Sequence, residues 1–335
     1  MLVRLNRPKL VLHFVPAKQD DVSSFRLPQQ ARAQTHIFLS NTNTPPCEAK
    51  TKQKPSQMRN GLEFVELEHG EARASVCVYG AHVTSFSVRG SNILFLSQRA
   101  LFEPPKAIRG GIPIIFPQFS GRGPLPSHGF ARNKLWRVAS REGRRRVVLE
   151  LEDSEDTRKM FPPFRAVFSV ELSDKAELQL TFRVEAKESP LSFTCALHTY
   201  FAIGHISKTR VQGLKGVQYE DQLNGSRIET ELQDHIVFDR EVDRVYLSVP
   251  RHLSVADGAN QRSIQLHTGA SLPDAVVWNP WEAKALKMTA DFGPTEFNDM
   301  VCVEVGAVAK PVQVKAGESW EGRHTISMAE DGAKL

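Results

Sequence analysis

Cysteine is scarce in this chain. Only Cys47, Cys77, Cys195 and Cys302 occur in 335 residues, and no two lie close together. That spacing excludes a CxxC redox or metal motif. The last three sit in apolar, β-rich runs, where a thiol acts as a small buried hydrophobe, so they read as reduced core residues. Spacing alone does not decide whether two of them pair. Long apolar runs are also missing. The stretch 112–116 is typical of the longest, far short of the roughly 18 residues that a membrane-spanning helix needs. No membrane partner is expected. There is no GxSxG elbow, no HExxH, no GxxxxGK[ST] and no Rossmann glycine run, which removes the commonest hydrolase, zinc-peptidase and nucleotide-binding chemistries. No histidine pair stands at helical metal-ligand spacing, so no metal is expected.

What remains is ordinary globular material, 41% hydrophobic and 24% charged. The net charge of +5 is unevenly spread. Residues 1–56 hold nine basic side chains (Arg4, Arg7, Lys9, Lys18, Arg26, Arg32, Lys50, Lys52, Lys54) and three acidic ones (Asp20, Asp21, Glu48). The rest of the chain is therefore almost neutral. A nucleic-acid-binding domain carries its basic excess on the folded surface, so no nucleic-acid partner is expected. Residues 1–57 are rich in Ser, Thr, Asn, Gln and Pro and show no sustained period. They read as a disordered extension, either a plastid transit peptide or a tail without an address. Plastid localisation is the expectation, with the cytoplasm as the alternative.

The pattern changes near residue 58. In 177–185, Leu178, Leu180, Phe182 and Val184 alternate with polar residues, which is a strand with one buried face. Ala166, Phe168, Val170 and Leu172 alternate likewise, and Ser173-Asp174-Lys175 supplies a hairpin turn. Val147, Leu149 and Leu151 repeat the signal. Further strands are expected around 73–79, 82–88, 191–199, 211–219, 244–249, 263–267, 275–279, 300–305 and 318–327. No long stretch has a helical period. Many short strands separated by turn residues predict one all-β sandwich domain over 58–330.

Five clusters could carry chemistry. Arg109-Gly110-Gly111 offers a forked donor beside backbone that can approach a ligand closely; it can equally be a turn with a surface arginine. His128-Gly129-Phe130-Ala131-Arg132 can deliver an imidazole and a cation to one pocket; it can equally be an ordinary loop. His198 lies in the apolar, aromatic run 196–201, as a proton donor or as a hydrogen-bonded core residue. Trp278 and Trp281 flank Asn279-Pro280, as a wall for a sugar ring or a plug for the sandwich. Glu304 interrupts the apolar run 301–306. In a central strand its charge is costly unless it is functional; in an edge strand it faces water.

Taken in order, RGGIPIIFPQF, HGFARN, LHTYF, VVWNPW and VCVEVG resemble the aldose 1-epimerase superfamily, and within it the glucose-6-phosphate 1-epimerase (hexose-6-phosphate mutarotase) branch. The resemblance runs from about residue 60 to 325. It implies a large two-layered antiparallel β-sandwich of galactose-mutarotase type and an isomerase that interconverts the anomers of glucose 6-phosphate. It implies His198 and Glu304 as the catalytic pair, and Arg109 and Arg132 as substrate-holding arginines. His128, Ser127, Asp243 and Trp278 complete the expected substrate-binding set. Ser127 departs from the glutamine usual at its position, and Val305 from a proline. The implied reaction needs no cofactor and no metal, its partner is a hexose 6-phosphate, and the expected active unit is a monomer. A non-catalytic phosphosugar-binding sandwich, or a mutarotase of unphosphorylated aldoses, stays open on these residues.

Overall fold

The computed structural model describes residues 57–329. The expected extension falls outside these residues except for Gln57, which opens the first strand. No helix among the described residues is long and apolar enough to cross a membrane. The described residues form antiparallel sheets of five, nine and eight strands, with only two short α-helices, Glu155–Arg158 and Trp281–Ala285.

The nine-stranded sheet is built around the expected hairpin. Strand Phe164–Leu172 pairs with Leu178–Ala186 in continuous register. The turn closes because Ser173 Oγ accepts from the amides of Lys175 and Glu177. Leu178, Leu180, Phe182 and Val184 are all buried, while Arg183 between them is exposed. The eight-stranded sheet has a long central strand, Met300–Val314, between Asp274–Asn279 on one side and Leu191–Leu197 with Tyr200–Ala202 on the other. Side chains from all three sheets share one apolar core, among them Leu67, Phe182, Val277 and Val303. That core is the reason for the two-layered arrangement: each sheet has an apolar face that only another layer can cover.

The sequence expectation of a strand over 211–219 was wrong in one respect. Thr209–Gln212 and Gln218–Asp221 are separate strands, and they belong to different sheets. Gly213 breaks the run at φ +96°, where a Cβ would lie 2.9 Å from the His252 carbonyl. The expected strand over 191–199 stops at Leu197 and resumes at Tyr200. Strands Leu62–His69, Arg137–Glu142 and His252–Asp257 carried no sequence expectation. Cys77, Cys195 and Cys302 are free and buried.

Candidate active site

Register creates the site. Leu197 pairs with Val305, and Tyr200 pairs with Cys302. These pairs bracket His198 and Thr199, so His198 stands opposite Glu304 although 106 positions separate them. Across the sheet, Val276 pairs with Glu304, Trp278 with Cys302, and Asp243 with Trp278. Paired residues share a face, and so do residues two apart. His198, Tyr200, Asp243, Val276, Trp278, Cys302 and Glu304 therefore lie on one face, opposite to the sandwich core. Loops cover that face with Phe95, Phe119, Phe292 and Phe297. Between sheet and loops lies a cavity of about 520 Å³, lined by Arg109, His128, His198, Asp243, Trp278 and Glu304 among others.

His198 Nε2 lies 3.3 Å from Glu304 Oε1. The imidazole stacks on Tyr200 at 4.8 Å and 6°, and meets Trp278 edge-on at 6.1 Å. Burial pushes the His198 pKa well below its ordinary value, and the neighbouring His128, Arg132 and Arg109 disfavour a second positive charge there. Burial likewise pushes Glu304 well above the ordinary carboxyl range, reinforced by Asp243 and opposed by Arg132. Both shifts run toward the uncharged forms, so burial works against an ion pair at this contact. His198 Nδ1 and Glu304 Oε2 are buried and have no partner.

Arg109 is held from two sides. Its Nε and one terminal nitrogen donate to Asp291 Oδ2 at 3.2 and 3.1 Å, and the other terminal nitrogen donates to the Tyr200 hydroxyl at 3.2 Å. Burial works against its charge, but Tyr200 and Asp291 outweigh it and keep Arg109 protonated. Of five N–H donors, two remain for a ligand. The Gly110-Gly111 turn approaches protein backbone and not the cavity: Cβ atoms there would lie 2.6 Å from the Phe95 carbonyl and 2.2 Å from the Val83 carbonyl. His82 braces the same turn through Gly110 O at 2.8 Å.

His128 lines the cavity with its ring 5.6 Å from that of His198. Burial and the two arginines lower its pKa to about 3, so it is a neutral imidazole. Its Nδ1 accepts weakly from the Ser120 amide at 3.4 Å, which directs Nε2–H elsewhere as a donor. Arg132 does not line the cavity but lies near it, since its charge is felt at His128, His198 and Glu304. It donates to the Ser127 carbonyl at 3.3 Å, and its Nε is buried without a partner. Ser127 itself is exposed and is not a lining residue. Asp243 lines the cavity, with its pKa raised by burial and lowered by Lys284 at 3.7 Å. Of the two tryptophans, Trp278 lines the cavity and Trp281 packs against Phe297 at 5.4 Å.

Sequence reasoning missed Tyr200 and Asp291, which orient Arg109, and the lining residues Phe119, Ser120, Gln222, Lys284 and Met288. Tyr200 was visible as the aromatic beside His198. Asp291 and Gln222 sit in connecting segments without any local signal. Chemically, the cavity brings together an imidazole and a carboxyl 3.3 Å apart, a partly occupied guanidinium and a second, neutral imidazole.

The aldose 1-epimerase family model matches residues 63–327. The chain belongs to the aldose 1-epimerase family. A Cenchrus ciliaris relative provisionally named glucose-6-phosphate 1-epimerase is 42% identical over 282 residues, 80% of this chain and 85% of the relative. An Escherichia coli relative with the same provisional name is 35% identical, covering 76% of this chain and 86% of its own. The crystal structure of a Salmonella typhimurium protein described as a mutarotase aligns with a TM-score of 0.75 at 28% identity, over 82% of this chain and 92% of that one. The epimerase fold expected from the sequence is thus the observed one, an antiparallel β architecture with few helices.

Proposed function

We propose that this epimerase interconverts the α and β anomers of glucose 6-phosphate by acid–base ring opening. The observation that carries the mechanism is the 3.3 Å contact between His198 and Glu304 inside the cavity. Ring opening removes the proton from the anomeric hydroxyl O1 and delivers one to the ring oxygen O5. The single proton shared by the pair serves both steps. It moves from Glu304 to His198, leaving a carboxylate to take the O1 proton and an imidazolium to protonate O5. Rotation about C1–C2 and the reverse transfers close the ring on the other face. Each positioned group contributes about 10²–10⁴-fold.

Arg109 and Arg132 would hold the phosphate dianion by charge-assisted bonds. Two free donors on Arg109 support its part of this assignment. His128 would donate to a sugar oxygen, Asp243 would accept from a hydroxyl, and Trp278 would offer a flat face to the ring.

The test is anomerisation of glucose 6-phosphate against glucose, followed by polarimetry or NMR exchange. Strong acceleration with the phosphate ester alone is expected. Equal acceleration of both sugars would favour a mutarotase of free aldoses, and none at all a binding module. The basic, acid-poor start of the chain and the plant source of one relative support plastid targeting by residues 1–57. A fluorescent protein fused behind those residues should enter plastids; a diffuse cytoplasmic signal would refute targeting.

A further inference from the structure

The face that carries the acid–base pair also carries a soft ligand that the reaction does not use. Cys302 lies two positions before Glu304 on the same strand and is completely buried beneath the cavity. His198, Cys302 and Glu304 bring one imidazole nitrogen, the thiol sulfur and one carboxylate oxygen within 4.8 Å of one another. Zinc with one ligand of each kind takes bonds of about 2.0–2.3 Å, so its ligand atoms stand about 3.3–3.8 Å apart. The imidazole and carboxylate already satisfy that spacing at 3.3 Å. Rotation of the thiol or the carboxylate by about 1 Å would close the rest. Glu304 Oε2 has no protein partner and restrains no such rotation.

We propose that the cavity floor is an inhibitory site for a divalent transition metal such as zinc, held by His198, Cys302 and Glu304. A thiolate beside an imidazole selects zinc, cobalt or copper over magnesium and calcium, which prefer oxygen alone. The metal enters through the cavity that admits the sugar. Its fourth position faces that cavity and holds water. Coordination replaces the protons on the Cys302 sulfur and the Glu304 carboxyl, which leave to solvent. A metal there consumes both catalytic groups, so metal and sugar phosphate exclude one another. The inhibitory half of the proposal rests on the proposed function; the binding half does not.

Two readouts keep these apart. Cobalt(II) added to metal-free protein should give a thiolate-to-metal charge-transfer band saturating at one equivalent, and Cys302→Ser should abolish it. In metal-buffered assays, zinc should raise the apparent KM for glucose 6-phosphate at least about tenfold, reversibly on chelation. Cys302→Ser should keep metal-free turnover and lose most of that inhibition, with Cys302→Ala as the second variant if serine disturbs the strand. A cobalt spectrum without the thiolate band overturns the proposal, and so does undiminished inhibition in both variants. The competing site is the exposed His252–His267 pair on the nine-stranded sheet, whose ring nitrogens approach to 3.0 Å. If His252→Ala with His267→Ala removed the inhibition instead, the cavity site would be refuted. A normal thiolate band in a protein without anomerase activity would refute the proposed function while supporting the metal site.

Discussion

Strand Leu178–Ala186 of the nine-stranded sheet and strand Met300–Val314 of the eight-stranded sheet carry opposite sequence signatures. In the first, buried and half-exposed residues alternate along its whole length. Its outer face is polar and tied by ion pairs, such as Arg183–Glu185 at 3.2 Å and Arg165–Glu185 at 3.2 Å. In the second, the first nine residues are all buried. One face joins the core through Val301, Val303 and Val305; the other carries Cys302 and Glu304 under the covering loops. The lesson concerns carboxylates. Glu185 meets water and two arginines, whereas Glu304 is buried at a cavity wall beside an imidazole, with the charge of Asp243 felt nearby. Coverage of the second face takes a glutamate out of water and pushes its pKa up, which is the setting the proposed acid–base role requires.

The sharpest way to break this comparison is to alter Glu304. Glu304→Gln should lower kcat at least about 10²-fold with little change in Tm, because shape and hydrogen bonding are kept while the base is lost. His198→Asn should act alike, and the double variant should lose far less than the product of the two losses. Near-normal turnover in Glu304→Gln would make the buried carboxyl a structural feature.

The pH profile tests the same burial. The active pair holds one proton, so activity falls when it gains a second or loses its only one. The second proton goes to His198, whose pKa is lowered; the last one leaves Glu304, whose pKa is raised. The sign follows: kcat/KM should fall as pH drops through the depressed imidazole value and as pH rises through the elevated carboxyl value. Both limbs are properties of the pair. The simpler assignment, with the acid limb from the carboxylate and the alkaline limb from the imidazolium, holds only for an exposed pair. Measuring the profile in Glu304→Asp and Asp243→Asn decides it, because removing the Asp243 charge should move the alkaline limb down.

Phosphate recognition should be a smaller effect. Arg109→Ala removes a charge-assisted contact worth about 1.5–3 kcal/mol and should raise KM for glucose 6-phosphate, with much less change on glucose. Asp291→Asn should give a milder version of the same split, since it releases Arg109 without deleting it. Equal losses on both sugars would assign Arg109 to the scaffold. The smallest effect belongs to the other sheet: Arg183→Ala should change stability by less than about 1 kcal/mol and leave turnover alone. A large activity loss there would erase the distinction between the two sheets.

The same distinction explains what was legible beforehand. Alternation exposed the 164–186 hairpin directly, because one wet face leaves a period of two. The continuous apolar run 301–305 announced a strand, but left open whether it was central or at an edge. The 211–219 stretch misled because its two halves pair with different sheets, which local pattern cannot show. Asp291 reaches Arg109, and Gln222 the cavity, from connecting segments whose course depends on the folded sheet beneath them.

By itself, the sequence determined the β class, through its spacing of apolar residues. It also determined the family, through five short motifs in order, and with it the site residues to examine. Tertiary structure alone decided that His198 faces Glu304, because register between distant strands is a long-range property. It decided that Arg109 is clasped by Asp291 and Tyr200, and that Ser127 stays outside the cavity. It also decided the direction in which the two pKa values move. Burial sets that direction, and burial belongs to the layers above and below a residue rather than to its neighbours in the chain.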